Sequence, residues 1–305
     1  MDVLSHILDT FRLEARVFHN GQYCGEWQVD TSGAKKASFH VITHGTCELL
    51  LDKGSKHIDS LVKGDLVIFP RDREHRIASN VSVTKPVNSI ASIPFQEGLN
   101  SNGTGMVCGH LEFELQRNQY LFDLLPDYLV IHCDEAPWNK HLKPLIDVLM
   151  SESIQSNPGV QASLNRLSEL FFMIVLREYL LASNETSGMV SAFHDTRMVK
   201  VLEAIYTNPE HDWTVEAMAQ IATMSRSAFT NRFKELLGES PLLHLKRWRL
   251  QNAYRWLRDG EVTVIQAAEQ CGYATEAAFS KAFKKEIGLR PGAAKRTNTA
   301  TKKTD

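Results

Sequence analysis

The hydrophobic positions change period twice along the 305 residues. Val3, Leu4, Ile7, Leu8 and Phe11 recur at three- and four-residue spacing, the stripe of one short helix. After Asn20-Gly21 the pattern shortens to β-like runs at 38–43, 47–51, 66–69, 89–93 and 105–113. His44-Gly45, Lys53-Gly54 and Lys63-Gly64 read as the turns between them. Short strands at this spacing predict a small antiparallel barrel or sandwich. From about Trp138 the period becomes helical. Leu142, Leu145, Ile146, Leu149 and Met150 form one stripe. Leu164, Leu167, Leu170, Phe171, Ile174 and Val175 form a second, running to about Leu181. The small, polar residues 183–191 read as a linker. From Asp195 the chain is helical nearly to Pro291, and the polar residues 295–305 read as a frayed tail. The fold class expected is α+β: an N-terminal barrel with a helical segment, then an all-α C-terminal region.

Composition narrows the class without naming a function. Hydrophobic residues make up 43% and charged residues 23%, ordinary for a soluble globular chain. No apolar run approaches the roughly 18 residues of a membrane span. The first residues lack a secretory apolar stretch, and five cysteines without a regular framework fit a reducing cytoplasm. The net charge of −2 hides an asymmetry: residues 195–305 carry 18 Lys+Arg against 13 Asp+Glu, and residues 1–194 carry 16 against 23. The +5 of the C-terminal part suits a polyanion, yet charge alone also fits an ordinary solvated surface.

An internal repeat decides between them. SRSAFTNRFKELLGESP (225–241) and TEAAFSKAFKKEIGLRP (275–291) are offset by 50 residues and identical at six of 17 positions. Each follows a short helix opened by Thr-Val, at Thr214 and Thr263, so each copy reads as helix, tight turn, helix. Phe229 and Phe233, like Phe279 and Phe283, anchor one face of the second helix. The opposite face then presents Arg226, Ser227, Thr230, Asn231 and Lys234 in the first copy. In the second it presents Thr275, Glu276, Ala277, Ser280, Lys281, Lys284 and Lys285. Such side chains reach base edges and phosphates of duplex DNA. The intervening stretch, 241–259, reads as one helix of about 28 Å. That is close to the roughly 34 Å between successive major-groove faces. Arg247 on this helix, with Lys234, Lys284 and Lys285, is expected to contact phosphates.

Residues 195–296 resemble the AraC/XylS-type DNA-binding domain, through WTVEAMAQIATMSRSAFTNRFKELLGESPLLHLKRWRLQNA and VIQAAEQCGYATEAAFSKAFKKEIGLRPG. The resemblance implies two helix-turn-helix units, the second helix of each in the major groove. By position Ser227, Thr230, Asn231, Glu276, Ala277, Ser280 and Lys281 would read bases. Ala294 departs from the family's frequent aromatic residue. FHVITHG (39–45), GDLVIFPRDREH (64–75) and VCGHLEF (107–113) resemble the cupin-type sensory domain found ahead of such units. Cys24 before Trp27, and Cys108 in a Val-Cys-Gly strand, are similar to the reactive-chlorine-responsive regulators of this architecture. The domains expected are a cupin-like sensory barrel at 1–135, a helical dimerisation and linker segment at 138–190, and the double helix-turn-helix domain at 195–296. The resemblance further implies an activator with RNA polymerase as partner, and the apolar stripes at 142–150 and 164–181 are wide enough to cover the barrel and still join two copies as a homodimer.

Three readings of the barrel stay open. Cys24, His40, His75 and Cys108 form a donor set that suits zinc, and Cys24 with Cys108 could be a redox pair. Alternatively Phe39, Val67, Phe69 and Leu111 line a pocket for an organic effector. A metalloenzyme is disfavoured, because His40 is followed by Val41 and Ile42 where enzymatic cupins carry His-x-His. Cys47, Cys133 and Cys271 are expected to be packing residues.

Overall fold

The computed structural model describes residues 2–10, 13–51, 56–82, 93–94, 103–113, 122, 125–182 and 188–295. Contacts divide the chain into Leu13–Tyr179 and a second unit of Met1–Arg12 with Leu180–Asp305.

The first unit holds ten strands and two helices among its described residues. They are β1 (Leu13–Tyr23), β2 (Gln28–Val29), β3 (Ala37–His44), β4 (Thr46–Leu51), β5 (Lys56–Val62), β6 (Leu66–Phe69), β7 (His75–Ala78), β8 (Ile93–Pro94), β9 (Thr104–Phe113) and β10 (Leu129–Ile131), then α2 (Leu142–Ser153) and α3 (Val160–Ala182). One sheet has the order β10-β6-β3-β9-β1-β8 and the other β2-β7-β4-β5. All pairings are antiparallel. Among the described residues the two sheets do not close into one hydrogen-bonded ring, so the expected barrel is an open sandwich. Trp27, Ile42, Cys47, Leu49, Leu61, Val67, Phe69, Ile77, Met106 and Cys108 fill its interior.

Strand β3 is buried on both faces, which is why its sequence lacks alternation. His40 and Ile42 face the other sheet. Phe39 faces α3, where its ring meets Phe171 edge-on at 4.9 Å. The run at 89–93 lies outside the described residues except for its last position, in β8. Strand β1 begins well before Asn20-Gly21, where the β pattern is expected to start, and runs through that pair: Asn20 and Gly21 pair with Val107 and Met106. β1 bulges between Val17 and His19. Helix α3 satisfies the backbone there: Asn165 Oδ1 accepts from Val17 N at 2.9 Å, and Gln161 Nε2 donates to Val17 O at 2.8 Å.

The second unit comprises α1 (Val3–Thr10), α4 (Gly188–His194), α5 (Thr196–Thr207), α6 (Val215–Ile221), α7 (Arg226–Leu237), α8 (Pro241–Asp259), α9 (Val264–Gln270) and α10 (Glu276–Ile287). Helix α1, expected with the barrel, packs on α5 and α8 through buried Val3 and Ile7. Part of the expected linker is helical: α4 begins at Gly188, with Ala192 buried and His194 Nε2 2.8 Å from Leu180 O. Residues 183–187 lie outside the described residues.

Candidate functional site

The repeat folds as two helix-turn-helix units, α6–α7 and α9–α10. Local chemistry sets all four helix starts. Thr214, Ser225 and Thr275 hydroxyls accept from the third backbone N–H beyond them, and Thr263 with Gln266 forms a capping box. Gly238 and Gly288 close α7 and α10 with φ of 74° and 87°, which only glycine adopts at little cost. The first turn places Thr223 at φ 53°, and the second places Gly272 at 78°. The second turn is one residue longer, which shifts the repeat offset from 49 at Thr214/Thr263 to 50 at Ser225/Thr275.

Phe229, Phe233, Phe279 and Phe283 are all fully buried, with ring centroids 5.6 Å apart in α7 and 5.4 Å in α10. The opposite faces are turned outward as expected. Arg226, Ser227, Asn231 and Lys234 are exposed on α7, and Glu276, Ala277, Lys281, Lys284 and Lys285 on α10. Thr230 and Ser280 are half-buried, and the Thr230 hydroxyl donates back to Arg226 O at 2.8 Å. Thr275 is a cap first, since its hydroxyl accepts from Ala278 N. Arg226 pairs with Glu216 at 3.0 Å, both well exposed, so the pair is weak and opens readily to a phosphate. Glu276, Ser280, Lys281, Lys284 and Arg290 line an open cleft of about 510 Å³ along α10. Arg247, expected at a phosphate, is half-exposed with its guanidinium beside the carboxylates of Glu239 and Glu286.

The sandwich interior gathers part of the expected cysteine–histidine set. His40 Nε2 and His75 Nε2 are 3.3 Å apart. Thr31 Oγ1 lies 3.1 Å from the first and 2.8 Å from the second. His75 Nδ1 is 2.7 Å from Arg73 O, so it carries the proton and leaves Nε2 to accept from Thr31. Two ligands bound at 2.0–2.1 Å to one tetrahedral ion stand about 3.3–3.4 Å apart, so the His40–His75 pair fits one edge of such a site. Cys108 is the register neighbour of His40 on β3 and of His19 on β1. His40 Nδ1 and His19 Nε2 are buried without a hydrogen-bond partner among the described residues. Burial depresses all three imidazoles, His19 to about 4, and His75 further lowers His40. Burial pushes the Cys108 thiol well up, and nearby Cys47 adds to it.

Cys24 does not join this group. It follows β1 beside Gly103, where an added Cβ would sit 3.1 Å from Cys24 Sγ. Gly103 is five residues before Cys108, about 17 Å along an extended strand. A disulfide needs Cα atoms within about 7 Å, so this arrangement forbids a Cys24–Cys108 bond. Among the described residues, no three His, Cys, Asp or Glu side chains gather as a metal site. The proposed effector pocket is corrected too. Val67 and Phe69 face the sandwich interior, whereas Phe39 and Leu111 lie on the face covered by α3. Sequence reasoning missed His19, hidden in an unrecognised strand, and Thr31, which no motif marks.

A cupin sandwich joined in one chain to two outward-facing helix-turn-helix units defines a DNA-binding transcriptional regulator. Comparison with known proteins agrees: residues 2–181 match a cupin family and residues 218–297 a helix-turn-helix domain. The chain belongs to the AraC family of regulators with an N-terminal cupin domain. It is 30% identical to the RCS-specific HTH-type transcriptional activator RclR of Escherichia coli, over 96% of each chain. It is 29% identical to an HTH-type transcriptional regulator of Haemophilus influenzae, over 95% of this chain and 97% of the relative. An AraC-like transcription regulator of Streptomyces lividans is 27% identical, over 96% and 97%. These relatives are regulators, and the chain is a regulator rather than an enzyme. No helix among the described residues is long and apolar enough to cross a membrane.

Proposed function

We propose that this chain is a cytoplasmic, homodimeric transcription activator that takes a metal or oxidant signal inside its cupin unit. It binds its operator with α7 and α10 in successive major grooves and acts on RNA polymerase. The name of the Escherichia coli relative, an RCS-specific activator, supports both the sign of regulation and the reactive-chlorine class of signal. The observation that carries the signal reading is the 3.3 Å approach of His40 Nε2 to His75 Nε2, beside Cys108. His40 and His75 would hold the ion, with Cys108 the nearest thiol and Thr31 displaced. Zinc bound there would hold the Cys108 sulfur as a thiolate, the form that oxidants attack. Cys24, half-exposed and apart, is the thiol that an oxidant in solution meets first.

The DNA reading is tested by selecting duplexes from a random pool with the full chain. Enrichment of one sequence, with affinity falling steeply as salt rises, is expected. Equal affinity for all duplexes would refute it. The signal reading is tested by chelator-stripping the chain and titrating zinc. Stoichiometric binding that disappears in His40→Ala/His75→Ala, with DNA binding intact, supports the site. Unchanged zinc binding in that variant, or none in the wild type, overturns it. For the thiols, Cys24→Ala and Cys108→Ala are each expected to blunt a hypochlorous acid response measured by DNA affinity.

A further inference from the structure

Two arginines of α8 bridge the two helix-turn-helix units, each through guanidinium contacts to both of them. Arg247 Nη1 donates to Glu239 Oε2, and its Nε lies 3.6 Å from Glu286 Oε2. Glu239 follows the C-cap of α7, and Glu286 lies in the last turn of α10. Glu239 Oε1 also accepts from His244 Nδ1 at 2.9 Å, and Tyr206 O–H donates to His244 Nε2 at 2.7 Å. The His244 ring meets Phe233 of α7 edge-on at 5.5 Å. An unbroken polar chain therefore runs from α5, past the end of the first recognition helix, to the second. Both carboxylates are mostly covered, with side-chain exposures of 14% and 16%. Arg249 makes a second bridge. Its Nε donates to Pro209 O and its Nη2 to His211 O at 2.8 Å, both ahead of α6. Its Nη1 donates to Cys271 O at 3.4 Å, at the C-cap of α9.

The repeat itself is broken where the first bridge lands. Glu286 stands where the first copy has buried Leu236, and Glu239 where the second copy has Leu289. A helix-turn-helix core needs neither carboxylate. Each is suited to meet the guanidinium of Arg247.

We propose that Arg247 and Arg249 are positioning residues that fix the spacing between the two recognition helices, and so the half-site spacing the regulator accepts. The proposal rests on both α7 and α10 engaging DNA. A planar guanidinium with five donors can hold two partners at once in fixed directions, which a lysine ammonium does less well. Removing Arg247 would leave α7 and α10 individually folded but free to shift relative to one another.

The test uses the full chain and a duplex selected by the wild type. Companion duplexes move one half of that site by one base pair either way, or scramble one half. For Arg247→Gln, affinity for the selected duplex should fall about tenfold, a coupling typical of contacting groups. Affinity for the half-scrambled duplex, the preference among bases and the salt slope should be unchanged, and discrimination among spacings should shrink. Glu286→Gln should reproduce this loss, and the double variant should be no worse than either single one. Because Glu286 is acidic, a role merely near DNA would instead give tighter binding when it is neutralised. Arg247→Lys should restore less than half of the lost discrimination. If Arg247→Gln lowers the salt slope by about one phosphate and weakens every duplex equally, Arg247 is a phosphate ligand and the proposal fails alone. A wild-type chain indifferent to spacing overturns the two-groove reading and the proposal with it.

Discussion

Thr223 holds φ 53° in the turn between α6 and α7, a left-handed conformation that a β-branched residue rarely adopts. The second unit has Gly272 at the matching place. Relief of the strain outweighs the added freedom of glycine in the unfolded chain, so Thr223→Gly should stabilise the protein by about 0.5–1 kcal/mol in urea unfolding. A loss of stability would mean that the threonine hydroxyl, which donates to Ala222 O at 2.7 Å, matters more than the strain. The three buried imidazoles of the sandwich make a second prediction at this scale. Their folded pKa values lie below the ordinary 6.5, with His19 near 4. Below pH 6.5 the unfolded chain binds protons that the folded chain refuses, so the stability they allow is present above 6.5 and falls as pH drops toward 4. Melting temperature should therefore decline from pH 7 to pH 5, and His19→Gln should flatten that decline. An identical pH profile in wild type and variant would show that His19 is not the linked group. Neither the strain at Thr223 nor the burial of His19 could be read from residue type. Both depend on backbone geometry and on neighbours distant in sequence.

At the scale of elements, the short helices depend on their first turns. Ser225→Ala and Thr275→Ala each remove the hydroxyl that accepts from the third N–H of a recognition helix. Each should cost about 1 kcal/mol of stability, read by thermal melting, with specific DNA affinity falling in parallel. A neutral result would mean that the packing of the phenylalanines alone sets the helix start. These helices were legible because three signals coincide: a capping hydroxyl, apolar residues one turn apart and a terminal glycine. Strand β1 was not legible. Its Asn-Gly pair has turn chemistry, yet β9 and β8 flank it and pull it into register. Propensity yields there to pairing on both sides. The 183–191 linker is helical in its later part for a related reason, since those residues pack as α4.

At the scale of the whole molecule, the proposed homodimer would rest on exposed apolar surface. Val148 on α2 and Leu170 on α3 are 54% and 44% exposed, on the two helices whose stripes are wide enough to meet a partner. Val148→Asp with Leu170→Asp should give a monomer by sedimentation at micromolar concentration while the wild type remains a dimer. A variant that still dimerises would move the interface elsewhere. The sequence alone determined a β-rich unit ahead of two helix-turn-helix units, because a repeat, helix caps and apolar periodicity are local and survive in one dimension; the regulator reading came with the family resemblance of its motifs. The sequence also determined which faces of α7 and α10 turn outward, since the paired phenylalanines leave only one face for solvent. Only the tertiary structure decided which chemistry-bearing side chains meet. His40 joins His75 and Thr31 because a loop and two strands of different sheets converge there. Cys24 is excluded because antiparallel register puts it five positions from Cys108, a separation invisible until β1 is laid against β9. Arg247 meets two carboxylates for the same reason: Glu239 and Glu286, 47 residues apart in the chain, reach one guanidinium only after both units pack on α8.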